Sequence, residues 1–278
     1  MRLRVVSAKA DKWSRIAGGF AIAINPSSRI KGYNADLLDV NCNRCVSGVA
    51  LRRRKPIRRL VTISEPTTLI TDYILGTLSE MCGVFLLKRN MTLRQGSIRW
   101  WALALMAAAI GSYIGGTYHG FQHAMEPSVA AVLWKLTTLS MGVASFLLLA
   151  AAFTASVSPE NQRWMIAAAA LKLVIYVMWM LEHDEFRFVI YDYGSTLAIL
   201  LLLVIAGKTH GVSGHRAYIA SGILVSIAAA AVQQSGFRLH QHFNHNDLMH
   251  VVQMGGVWLL YKGGARLRDA GGVHGAQP

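Results

Sequence analysis

The chain reads as an all-α integral membrane bundle of about seven transmembrane helices. Three observations predict this. The 278 residues are 53% hydrophobic and only 15% charged, with a mean hydropathy of +0.36, whereas soluble domains run near a quarter charged. After residue 66 the sequence alternates long apolar runs with short polar joints. Each run has the length, roughly 18 to 25 residues, that a helix needs to cross about 30 Å of hydrocarbon.

The runs fall at 68–87, 100–121, 129–153, 164–181, 189–207, 217–234 and 248–264. The first carries Asp72 and Glu80, and the last is short; the second, third, fifth and sixth are rich in Ala, Leu, Ile, Val and Gly. Helix is the state expected for all, because hydrocarbon leaves an unpaired backbone amide without a partner. Trp100, Trp101, Trp134, Trp164 and Tyr261 lie near the span ends, as an interfacial aromatic belt requires. In the second span, Gly111 with Gly115 and Ser112 with Gly116 form small-xxx-small pairs that admit a close neighbouring helix.

The domain organisation is a basic leader at 1–65, a seven-helix domain at 66–268 and a flexible tail at 269–278. Residues 1–64 hold fourteen Lys and Arg against three Asp, so most of the net charge of +14 belongs to one short segment. A hydrophobic chain with its cations in a leader is not a nucleic-acid binder by default. Cys42 and Cys45 make a lone CxxC without a second pair, and with Cys82 the cysteines number three; an odd, scattered set implies no disulfide framework.

Lys and Arg in the joints set an orientation. Lys88, Arg89, Arg94, Arg99, Arg163, Lys208, Arg216, Lys262, Arg266 and Arg268 share one side; Arg187 and Arg238 lie on the other. The spans thus predict an outside amino end and a cytoplasmic carboxyl end, in a cell membrane of bacterial inner-membrane type. The leader's cations oppose that rule, which motivates the hypothesis that translation of the working protein starts near Val61. Mass spectrometry of the native amino terminus tests it, and a peptide from residues 5–40 in the purified protein would end it.

In this topology seven of the ten histidines gather at the outer face, with Asp72, Glu126, Glu182, Asp184, Glu185, Asp192 and Asp247. Ionisable groups within spans are costly and are functional candidates. His119 ends the second span, Asp192 opens the fifth, Asp72 sits early in the first, and Lys135 lies one or two turns into the third. The last span begins His245-Asn246-Asp247-Leu248-Met249-His250. Imidazoles from two helices with a carboxylate suit zinc with one open position, which would supply hydroxide for attack on a carbonyl while Asp192 or Asp247 takes the proton. A polar cluster that fixes helix packing, a proton relay, a transporter and a sensor use the same residue types. Deeper in the membrane, Glu80 and Lys172 are expected to pair, since each needs a partner. Rescue of either single mutant by charge swapping tests that pairing.

Seven spans, His119 at the end of the second and His245 and His250 at the start of the seventh resemble the membrane hydrolase superfamily of alkaline ceramidases and progestin/adiponectin-type receptors. The resemblance implies zinc held by His119, His245 and His250, and cleavage of a lipid amide or ester. That family has Ser-x3-His in the second span and His-x3-His in the seventh; this chain has Gly115 four residues before His119, and four residues between His245 and His250. Membrane lipids and a lipid-like substrate are the expected partners.

Overall fold

The computed structural model describes residues 62–273, within a unit that spans Thr62–Pro278. The expectations for residues 1–61, including the CxxC pair and the start near Val61, lie outside the described residues, as does His274. Seven helices follow one another: α1 Pro66–Leu93, α2 Gly96–Phe121, α3 Pro127–Ser156, α4 Pro159–Glu182, α5 Arg187–Ile205, α6 His215–Ser235 and α7 His245–Gly264. A 3-10 turn, Ala270–Val273, ends the described chain. The first six helices are long and apolar enough to cross a membrane, which marks the chain as membrane-embedded.

Every helix starts before its apolar run, and at four of the starts the first turn or cap carries a helix-starting residue rather than an apolar one. Pro66, Pro127 and Pro159 each occupy the first turn, where a missing N–H costs nothing and the fixed φ is already helical. α7 starts at His245 because Asn244 caps it: the Asn244 side chain accepts from the amides of Asn246 and Asp247, and Asp247 returns a bond to the Asn244 amide. Such a reciprocal box satisfies otherwise orphaned amide donors.

Short joints link the helices, and α1 packs on α7 as well as on α2. Glycine permits the α1–α2 crossing: a Cβ on Gly83 would sit 2.8 Å from Met106 Cγ and 3.0 Å from Ala102 O. Of the glycines expected to admit a neighbour, Gly116 faces Asp72 and Tyr73 on α1, whereas Gly111 and Gly115 face Thr137 and its neighbours on α3. The main packed core gathers Leu86, Trp101, Leu148, Leu200, Ile219 and Leu260. α4 is peripheral and buries only Ala169, Tyr176 and Met180.

The end of the bundle that carries the basic joints is latched by the segment after α7. Val212 N donates to Arg266 O at 2.9 Å, and Arg268 N to His210 O at 3.0 Å. Asp269 then takes the first amides of α2: Oδ2 accepts from Gly96 N at 2.7 Å, and Oδ1 from Ser97 N at 2.8 Å and Ser97 Oγ at 2.6 Å. The tail expected to be flexible from residue 269 is therefore anchored at its first residue.

Candidate functional site

At the opposite end of the bundle, α1 contributes Thr68, Thr71 and Asp72, successive on one face at the helical spacing. All three are buried. α7 meets them with Asp247 and His250, also buried. Nε2 of His250 lies 3.2 Å from Asp72 Oδ1, and its Nδ1 lies 3.0 Å from Thr71 Oγ1. Thr68 Oγ1 donates to Asp247 Oδ1 at 2.7 Å, and Asn244 N donates to Asp247 Oδ2 at 2.7 Å. α2 brings His119, whose Nδ1 is 3.2 Å from Glu65 Oε2. That nitrogen has no well-directed hydrogen bond in this geometry. Gln122 Nε2 donates to the other Glu65 oxygen at 3.2 Å. The His119 imidazole beside it holds the Glu65 carboxyl below the usual carboxylate range, against the opposing effect of burial.

Beneath this polar end lies a cavity of about 550 Å³, within the range of small-molecule sites. Asp72, His119 and His250 line its head, with Trp134 and Phe186 in the wall. Further along α1, α2, α5 and α7 the lining becomes Leu75, Leu105, Leu197, Val257 and Leu260. From His250 to Leu260 the slot follows about 15 Å of helix. The cavity is thus polar at its head and apolar along its length.

The Thr71 hydroxyl carries one hydrogen and has two acceptors in range, Thr68 O at 3.1 Å and His250 Nδ1 at 3.0 Å. With the hydrogen on Thr68 O, Nδ1–H of His250 donates to Thr71, and a proton must lie between Nε2 and Asp72. With the hydrogen on Nδ1, Nε2–H donates to an ionised Asp72. The two arrangements differ by one proton.

Other expected residues go elsewhere. Asp192 is not at the cavity: its Oδ1 binds Lys172 Nζ at 2.5 Å, and Lys172 also donates to Asp192 O, Ser145 Oγ and Thr196 Oγ1. α4 packs against α3, so its lysine meets α3 and α5 and not α1. The expected Glu80–Lys172 pair is consequently absent, and Glu80 accepts instead from Tyr113 OH at 2.7 Å. Asp247, expected to take a proton, has both oxygens committed to the α7 cap and to Thr68. Lys135 binds Asp184 Oδ1 at 2.6 Å and the carbonyls of Met180 and His183, and so closes the end of α4.

The three histidines expected to hold zinc do not form one ligand set. His245 does not line the cavity that His119 and His250 share. Both ring nitrogens of His250 already face Thr71 and Asp72. Among the described residues no group of three or more His, Cys, Asp or Glu is arranged to hold a metal ion. These residues do not fit a three-histidine zinc centre.

Glu65, Thr68 and Thr71 carry much of the network, and sequence reasoning passed over them. The i, i+3, i+4 spacing of Thr68, Thr71 and Asp72 was the signal available. For Asp247, the signal was Asn244-x-x-Asp247, a capping pattern at a helix start.

No curated protein and no solved structure matches the chain. Its first 66 residues and last nine lie outside the one stretch that a family model covers, residues 67–269, and over that stretch the chain belongs to a family of unknown function, DUF6962.

Proposed function

We propose that the chain is a seven-span membrane protein that takes a lipid-like amphiphile into the cavity and hydrolyses an amide or ester at its polar end. The observation that carries this is the apolar slot ending on the buried Asp72–His250 pair. In this reading α7, 20 residues long and so about 30 Å, is the seventh crossing. The basic joints face the cytoplasm and the polar end faces outward.

The chemistry uses this chain's own groups. His250 engages one oxygen of Asp72, and Oδ2 is directed toward Gly115, within 3.7 Å of where a Cβ would stand there. Gly115 lines the cavity, so Oδ2 meets whatever occupies the head. Asp72 takes the proton of an attacking water, and His250 shares it through Nε2. His119, on α2, returns a proton to the leaving amine or alcohol. The slot supplies positioning by holding the acyl chain.

The test is release of fatty acid from long-chain N-acyl amines and acyl esters by the reconstituted protein, read by mass spectrometry. Hydrolysis of one class is expected. Asp72→Asn and His250→Gln should each lower it by about a hundredfold or more, the size of a general-base contribution, while the ligand stays bound. Bound ligand with no hydrolysis of either class would reject the enzyme reading.

One observation favours a second reading, a non-enzymatic proton relay or sensor. The Thr68–Thr71–His250–Asp72 distances accommodate two hydrogen arrangements that differ by one proton. A ligand that alters the protonation of Asp72 on binding, with no turnover, is what this reading expects.

A further inference from the structure

The cavity has a side as well as a head. Among the described residues that line it, only Gly194 on α5 and Ile227 on α6 are exposed. Leu75, Leu105, Leu197 and Val257 line the same space and are buried, so the lumen by itself leaves little open surface on its walls. The exposure of Gly194 and Ile227 therefore marks where the cavity meets the surroundings of the bundle. The space at Gly194 agrees with this, since a Cβ there would find nothing within 4 Å. Toward the basic end the two helices close on each other: Leu200 and Val204 of α5 share one packed core with Ile219 and Ile223 of α6. The opening is a slit, confined to the half of the α5–α6 seam nearer the polar end.

Outside the slit the surface is apolar. Leu202 on α5 and Leu224 on α6 are exposed, and both helices are long and apolar enough to cross a membrane, so the slit opens onto hydrocarbon rather than water. Its depth bears on the chemistry. Counted along the helices from Arg187 and from Ser235, Gly194 and Ile227 lie about 10–12 Å below the polar end. Counted from Pro66 and from His245, Asp72 and His250 lie about 8–9 Å below it. The slit and the buried pair stand at nearly one level. A lipid carries its ester or amide link where headgroup meets hydrocarbon, so sideways movement brings that link to the pair without taking the molecule out of its leaflet.

We propose that the cavity fills sideways from the leaflet at the polar end, by an acyl chain of a bilayer lipid that passes between α5 and α6 at Gly194 and Ile227. Glycine at 194 keeps the passage clear, and Ile227 forms its other edge. This rests on the reading of the cavity as a lipid site and adds the source of the ligand: a lipid anchored in that leaflet, not an amphiphile dissolved in water.

The test places the full chain in phosphatidylcholine vesicles that contain a phosphatidylcholine with a diazirine at the end of one acyl chain. After illumination, labelled residues are mapped by mass spectrometry. Val257 and Leu260 line the cavity and are buried, so label on them comes from within; label on Leu202 comes from the bilayer. Wild type should carry both. Gly194→Trp and Ile227→Trp should each lower the label on Val257 and Leu260 by about tenfold or more, because a chain in the slit would then have to displace an indole. Label on Leu202 should stay unchanged, and Leu224→Trp, on the outer surface of α6, should leave the inner label as in wild type. Thermal unfolding checks that each variant folds, and the two slit variants lie on different helices, so either one suffices. Inner label at the wild-type level in a folded slit variant would overturn the proposal and leave the lipid site standing. Wild type with label on Leu202 alone would overturn it as well. Native mass spectrometry of that same protein then separates the two ideas: a bound amphiphile keeps the lipid site, and none removes both.

Discussion

Asp72 on the first helix and His250 on the last stand 3.2 Å apart, Oδ1 to Nε2, and both are buried. The contact joins the two ends of the bundle's chain and forms the head of its cavity at once. A change in this pair therefore bears on the packing of α1 against α7 and on the activity proposed for the cavity.

Removing one member of the pair leaves the other a buried polar group without its hydrogen-bond partner, which costs about 1–3 kcal/mol. Asp72→Leu and His250→Leu should each lower stability by that order in thermal or denaturant unfolding. The double variant should lose less than the sum, since neither polar group is then stranded. Additive losses would show that the two side chains do not act on each other.

Gly116 supports the pair by its lack of a side chain. A Cβ there would fall 2.9 Å from Asp72 Cβ and 2.8 Å from Tyr73 Cδ1. Gly116→Ala should therefore push α1 away from α2 and cost about 1–3 kcal/mol, as overpacking does, with loss of ligand from the cavity. Gly194, which also lines the cavity, has nothing within 4 Å of such a Cβ. Gly194→Ala should be neutral or slightly stabilising in the same unfolding measurement.

Asp269 caps α2 from the far end of the chain through three hydrogen bonds. Asp269→Ala should cost about 1–2 kcal/mol, within the range of lost N-caps, and should release residues 266–273 to proteolysis. Truncation before residue 269 should give the same loss. Equal stability and equal protease resistance in the variant would contradict the latch.

The Glu65 carboxyl has a lower pKa in the folded chain than when unfolded, because His119 stands beside it. For a depressed carboxylate the stabilisation is complete above the ordinary value, 4.5, and is lost as the pH falls through the depressed one. The difference in thermal stability between wild type and Glu65→Gln should thus shrink as the pH is lowered below about 4.5. A difference that grows on acidification would have the wrong sign for this contact.

The helices were legible because each apolar run exceeds what a soluble core helix needs. Their starts were less so: α4 begins at Pro159, not near 164, because its first turn is polar and carries Glu160. Alternation of direction brought Asp72, His119 and His250 to one end correctly, since depth follows from counting residues. Which neighbour a helix face meets does not follow from counting. Asp192 opens α5 at that same end yet turns to Lys172, and Glu80 lies deep in α1 yet faces outward. Helical periodicity groups residues on a face; only the arrangement of the bundle decides what that face touches. Asp247 is the exception, because its cap pattern was written in four consecutive residues.

The central claim is that the cavity below Asp72, His119 and His250 holds an acyl-chain amphiphile. Native mass spectrometry of the protein purified in mild detergent, with extraction and identification of bound lipid, tests it directly. About one molecule per chain is expected from simple single-site occupancy, lost in Ala108→Trp, whose indole would fill the slot lined by Ala108, while that variant stays folded. A wild-type protein that carries no such molecule, or an Ala108→Trp protein that carries as much as wild type, would contradict the account.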